Sequence, residues 1–134
     1  PLFMDKYDKY DIILGSRLHD IKKMPFSRKL ANFLSSFFAT LFVGQKIADC
    51  QTGYRLIKTD VLQNLSLDGD GYELETELIL QAGFKKYKIG SVEIKTIYND
   101  SVSYINKFDD TVKVIKIFWR YLVNRRKYVN TSNK

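Results

Sequence analysis

Short apolar runs alternate along the chain with longer segments in which apolar residues return every three or four positions. Asp11-Ile-Ile-Leu14, closed by Gly15, reads as a buried strand of a parallel or mixed sheet. After Pro25, the residues Leu30, Phe33, Leu34, Phe37, Phe38, Leu41 and Phe42 recur at helical spacing, and Gly44 ends the segment. This predicts a helix with a wide apolar face, destined either for a core or for a membrane interface. The polar edge of Arg28, Lys29, Asn32, Ser35 and Ser36 favours the core. Tyr54-Arg-Leu-Ile57 reads as a brief strand, and Thr59 or Asp60 is placed to cap a short helix reaching Asn64. Asp68-Gly-Asp-Gly71 is a turn cluster. A second long helix is expected from Glu73 to Phe84, with Leu74, Leu78, Ile79 and Ala82 as its apolar stripe. Ile89, Val92, Ile94 and Ile97 then spell one or two strands with a break near Gly90. A polar loop from Asn99 to Asn106 leads into a C-terminal helix.

Strands and helices alternate without an internal repeat, which gives an α/β class. The 134 residues suit one domain over 1–128, with 129–134 a frayed polar tail. Nine Phe, nine Tyr and one Trp are too many for a chain kept disordered by want of apolar burial. Cys50 is the only cysteine, so neither an intrachain disulfide framework nor a zinc site built on cysteine pairs is possible. A reducing, cytoplasmic setting is the expectation. No run approaches the ~18 apolar residues of a spanning helix, and Pro1 onward shows no basic-then-apolar leader pattern.

Charge changes the picture at one end. The formal net charge is +7, and Lys107 to Lys134 holds eight basic residues (Lys107, Lys113, Lys116, Arg120, Arg125, Arg126, Lys127, Lys134) against Asp109 and Asp110. In the C-terminal helix, Lys113, Lys116, Arg120 and Lys127 fall near one stripe, and Phe108, Val112, Ile115, Phe118 and Leu122 form another. Three destinations fit such a helix: packing with a solvated cationic face, an anionic bilayer surface, or nucleic acid, the last being the least favoured. Trp119 and Tyr121 suit a headgroup interface.

Three polar groupings sit where an α/β sheet places function, past the carboxyl ends of strands. They are Gly15-Ser-Arg17, Asp49-Cys-Gln-Thr-Gly-Tyr-Arg55 and Glu73-Leu-Glu-Thr-Glu77. Carboxylates beside guanidiniums suit a site that handles phosphates. Each also has a plainer explanation. Arg17 could pair with a surface acid, and Glu73, Glu75 and Glu77 could be the acids a helix N-terminus welcomes.

Taken with Met24-Pro-Phe-Ser-Arg28, Asn32, Gly71-Tyr-Glu-Leu-Glu-Thr-Glu77 and Ser103-Tyr-Ile-Asn106 with Asp110, these groupings resemble the second half of a family 2 glycosyltransferase. The closest branch is that of dolichyl- and polyprenyl-phosphate sugar synthases. The resemblance covers residues 1 to 122. It implies the C-terminal half of a GT-A-type, Rossmann-like mixed sheet flanked by helices and ending in an amphipathic basic helix. It implies transfer of a sugar from a nucleotide-sugar donor to a polyprenyl or dolichyl phosphate, at the cytoplasmic face of a membrane. Asp49 matches an acid held near sugar and acceptor, as base or as orienter of the attacking oxygen. Glu75 matches an acid kept at a helix start, with Glu77 its neighbour. Arg17 and Arg28 match basic positions that meet the acceptor phosphate or donor diphosphate. Gln51 and Arg55 match the surrounding motif, Arg55 bracing the loop, and Ser103 offers a hydroxyl.

The resemblance also defines departures. The family's nucleotide-binding half ends in an Asp-x-Asp motif that holds a divalent cation against the donor diphosphate. Here Asp68-Gly-Asp70 imitates that spelling but reads as a plain turn. The chain is therefore expected to be a fragment without metal or cofactor of its own, Mg or Mn being needed by the complete enzyme, and to be inactive alone. Tyr104 stands where relatives often place His or Lys. His19, without a histidine partner, reads as a surface loop residue, and Cys50 beside Asp49 is a poor nucleophile. The competing reading is a non-catalytic module binding anionic lipid or nucleic acid through the C-terminal helix. A degenerate product without partner is the third. An open sheet edge would favour self-association.

Overall fold

In a computed structural model, residues 2–17, 26–68, 72–95 and 107–124 are described. Their order is a 3-10 turn at Met4–Lys6, then β1 (Ile12–Ser16), α1 (Phe26–Val43), β2 (Arg55–Ile57), α2 (Thr59–Gln63), α3 (Tyr72–Phe84), β3 (Ile89–Glu93) and α4 (Lys107–Val123). The fold is mixed α/β, a partial Rossmann-like arrangement. The sheet runs β2-β1-β3, with β1 antiparallel to β2 and parallel to β3. All five residues of β1 are buried, as a central strand covered on both faces requires. Ile12 and Leu14 join the main core with α1, α3 and α4, whereas Ile13 and Val92 are buried outside that cluster. This is the alternation a pleated strand imposes.

Gly90 does not break the strand. It pairs with Ile13 inside β3, and a side chain there would meet the Tyr10 ring at 2.6 Å. The glycine makes room for an aromatic lying on the sheet rather than for a bulge. The cap expected from Thr59 or Asp60 is also absent. Lys58 occupies the N-cap of α2 in extended conformation, without a side-chain cap bond.

The largest correction concerns α1. Its buried residues are Asn32, Ser35, Ser36 and Ala39, while Phe33 is 65% and Leu41 69% exposed, and Phe26, Leu30, Leu34, Phe37 and Phe38 also face outward. Most of the apolar stripe therefore faces away from the core that the polar edge was expected to favour, Phe42 alone of the stripe packing against it, while the hydroxyl side of the helix points inward. The Thr40 hydroxyl accepts the Ile47 amide at 3.0 Å and the Ser36 hydroxyl accepts the Cys50 amide at 2.9 Å. Buried amides of an irregular loop must find such acceptors.

A smaller rotation affects α4. Ile117, Phe118 and Tyr121 form its buried seam, while Val112, Ile115, Trp119 and Leu122 of or beside the expected stripe are exposed. Phe118 lies 5.6 Å from both Phe38 and Phe42, joining the outer edges of α1 and α4. In α3, Leu74 is exposed, but every residue from Thr76 to Phe84 is buried. Among the described residues, no helix is long and apolar enough to cross a membrane.

Candidate functional site

The carboxyl end of β1 organises the site. Because β2 is antiparallel, Arg55 at its start lies beside Leu14 near the end of β1. Arg17 follows β1 directly and sends its guanidinium to Asp49. Its Nε donates to Oδ2 at 2.7 Å and its Nη2 to Oδ1 at 2.9 Å, while the Arg17 amide reaches Oδ2 at 3.3 Å. This is a two-pronged, charge-assisted pair, the strong form of such contacts. Asp49 is completely buried and Arg17 a quarter exposed, so only the cation side of the pair meets solvent. The same Nη2 lies 3.3 Å from the Gln51 carbonyl.

A second pair stands beside the first. Arg55 Nη2 contacts Glu75 Oε1 at 2.9 Å and donates to the Thr52 carbonyl. Glu75 Oε2 is buried and, among the described residues, has no hydrogen-bond partner. Burial pushes the Glu75 carboxyl above its ordinary value; Arg55 and Arg17 pull it partly back, and Asp49 adds to the rise. Gln51 donates through Nε2 to the Ser35 hydroxyl at 3.2 Å. The 49–55 loop is thus tied to β1, α1 and α3 together.

Asp49, Arg17, Gln51, Arg55 and Glu75 therefore converge, and Glu77 does not join them. Two residues along a helix are some 200° apart, and Glu77 turns away into the α3–α4 seam. It is 1% exposed there, bonded to Tyr121, Arg120 and the Asp68 amide. That spacing is readable in the sequence; the partners Tyr121 and Arg120 are not. Cys50 is buried, and burial first, then the Asp49 charge, push its thiol up to about 12 despite the Thr76 hydroxyl, so it is no nucleophile at neutral pH. The Arg28 side chain, His19, Gly69-Asp-Gly71, Ser103, Tyr104 and the 129–134 tail lie outside the described residues.

Among the described residues, no three His, Cys, Asp or Glu side chains come together as metal ligands. Asp49 and Glu75 each already face a guanidinium, leaving one carboxylate oxygen, Glu75 Oε2, unpartnered. This donor set does not fit a divalent cation.

Two carboxylates, Asp49 fully buried and Glu75 partly exposed, thus hold two guanidiniums side by side at one end of the sheet. The chain is 34% identical over 122 residues, 87% of its length, to a UDP-N-acetylglucosamine–dolichyl-phosphate N-acetylglucosaminyltransferase of Methanococcus voltae. It is 26% identical over 70% of its length to an undecaprenyl-phosphate mannosyltransferase of Micrococcus luteus. An uncharacterised protein of Methanocaldococcus jannaschii is 32% identical over 70% of the chain. The chain belongs to the family 2 glycosyltransferases. It spans less than half of each of these relatives, 47%, 41% and 41% of their lengths respectively. No protein-family model matches it, and no solved structure matches it.

Proposed function

We propose that this chain is the acceptor-side part of an enzyme that transfers a sugar from a nucleotide-sugar donor to a polyprenyl or dolichyl phosphate. The observation that carries the reading is the convergence of Arg17–Asp49 and Arg55–Glu75 past the end of β1. An acceptor phosphate is already ionised near neutral pH and needs placing more than deprotonating. Its oxygen attacks the anomeric carbon, the bond from that carbon to the donor diphosphate breaks, and the electron pair leaves with the nucleoside diphosphate. No proton need move. Arg17 meets the phosphate. Asp49, with both oxygens spent on Arg17, orients that cation rather than acting as a base. Glu75 Oε2 is the acceptor left for a substrate hydroxyl. Negative charge building on the leaving group calls for cations, and the divalent cation of the complete enzyme would be held outside these residues.

The acceptor's lipid tail gives the outward phenylalanines a purpose. Phe33, Phe37 and Leu41 of α1 and Ile115, Trp119 and Leu122 of α4 lie outward on two helices joined through Phe118, with the exposed cations Lys29, Lys116 and Arg120 on the same helices. An aromatic and aliphatic surface bordered by cations is complementary to an anionic bilayer. We read α1 and α4 as the peripheral contact that brings the site to the membrane. Nucleic acid would not call for exposed Ile115, Trp119 and Leu122.

The test joins this chain to an upstream nucleotide-binding half and follows labelled sugar from nucleotide-sugar into organic-extractable lipid. Activity should require the upstream half and fall more than tenfold in both Arg17→Ala and Glu75→Gln. Full activity in a completed enzyme carrying both changes would remove the assignment. Anionic vesicles, but not an oligonucleotide, should retain the chain.

A further inference from the structure

The buried network around Glu77 ties the site to the helix that faces lipid. Glu77 Oε1 accepts from the Tyr121 hydroxyl at 2.8 Å and from Arg120 Nη2 at 3.1 Å, both on α4. Its Oε2 accepts the Asp68 amide at 3.1 Å, in the segment before α3. Gln81, one turn further along α3, repeats the pattern: its Nε2 donates to the Tyr121 hydroxyl at 2.9 Å and to the Ser66 carbonyl, and its Oε1 accepts the Ser66 amide at 3.0 Å. One phenol is thus shared by two α3 side chains, and its ring stacks on Phe84 at 6.0 Å. Arg120, the cation of this network, is next to Trp119, the most exposed large hydrophobic side chain described on α4. On the other side of α3, two residues before Glu77, Glu75 faces Arg55.

A carboxylate taken out of water must be held by donors of fixed geometry. All three described donors come from elements other than α3. Movement of α4 relative to α3 would strip this carboxylate of two charge-assisted or hydroxyl donors at once, so the two helices must travel together. We propose that Glu77 is a positioning residue that couples α4 to Glu75, so that seating α4 on an anionic bilayer fixes the amino-terminal turn of α3, and with it the Glu75–Arg55 pair. This rests on the lipid-docking reading of α4 given above. It gives the second glutamate of the Glu75–Glu77 motif a task away from the reacting atoms, and it makes the bilayer both the source of acceptor and the condition that orders the site.

Hydrogen exchange on the full chain, alone and with phosphatidylglycerol–phosphatidylcholine vesicles, tests this. The wild type should show slower amide exchange with vesicles in α4 and also in residues 73–77 of α3, by about threefold or more, the scale of a modest shift in local opening. Tyr121→Phe keeps the ring against Phe84 but removes the hydroxyl, and Glu77→Gln keeps the shape but removes the charge. Both should melt cooperatively, bind vesicles and slow in α4, yet lose the vesicle-induced slowing at 73–77. If Tyr121→Phe does not fold, Glu77→Gln carries the comparison. Slowing confined to α4 in the wild type, or kept at 73–77 in a folded variant, overturns the coupling while leaving docking intact. Absence of slowing in wild-type α4 overturns docking, and the coupling falls with it.

Discussion

Asp49 gives both carboxylate oxygens to Arg17, at 2.7 and 2.9 Å, from a position with no solvent exposure. The acid is thereby a fixed structural partner of that guanidinium. Asp49→Asn leaves a guanidinium facing a neutral amide, and losing one partner of a buried pair costs about 3 kcal/mol. Arg17 can regain some water because it is partly exposed, so about 2–3 kcal/mol is expected in urea unfolding. A completed enzyme carrying this change should also lose most transfer. A change in activity with unaltered unfolding would instead make Asp49 a base.

Glu75 sets a pH dependence whose sign follows from its raised pKa. An acid that holds its proton more firmly when folded contributes stability that is complete below its ordinary value of 4.5 and is lost as pH rises through the folded value. Asp11 runs the other way. Burial raises its carboxyl, but the Lys88 amide and Lys58 outweigh that and lower it, so its contribution is present above 3.8 and lost as pH falls. Replacing Glu75 by Gln removes the first effect and keeps the second. Melting temperatures from pH 4.5 upward should therefore shift progressively in favour of Glu75→Gln relative to wild type. A constant or shrinking difference would contradict the burial of this carboxyl.

Phe33 and Phe37 report the orientation of α1. Were they in a core, replacing either with a polar residue would cost about 3–5 kcal/mol. Because both are exposed, Phe33→Glu/Phe37→Glu should unfold within about 1 kcal/mol of wild type, as surface changes do. Vesicle co-sedimentation should nevertheless drop by an order of magnitude or more, since apolar area and charge both work against the bilayer. Large destabilisation would return the phenylalanines to a core.

Gly83 tests the seam between α1 and α3. A Cβ there would overlap the Val43 side chain. Alanine is the better helix former by about 1 kcal/mol, yet overpacking costs about 1–3 kcal/mol. Gly83→Ala should therefore destabilise modestly, while Val43→Ala/Gly83→Ala should recover part of the loss. Thermal melting of the pair as a double-mutant cycle gives the answer.

Much of this architecture is legible in the sequence because hydrophobic period and turn residues act locally. Gly44, at φ +71°, closes α1 where a left-handed residue is needed, and Ile12 to Leu14 could hardly be anything but a buried strand. The motif around Asp49 and Arg55 stands out as a polar grouping past a strand end, and the structure pairs its acid with Arg17 and its arginine with Glu75. The facing of α1 was not legible. Hydropathy weighs side chains against water, whereas Ser36 and Thr40 are held inside by amides of Cys50 and Ile47, which lie up to fourteen residues away. Glu77 shows the reverse case. Helical geometry alone separates it from Glu75, and family resemblance drew the two together.

The inverted α1 reverses the usual map of which positions accept change. Phe33 and Phe37 are exposed, so Leu, Ile, Met or Trp should replace them freely in a saturation library scored for folding. Ser36, whose hydroxyl fits one amide in a tight space, should accept almost nothing. A reader ranking positions by apolarity would guard the wrong side of this helix.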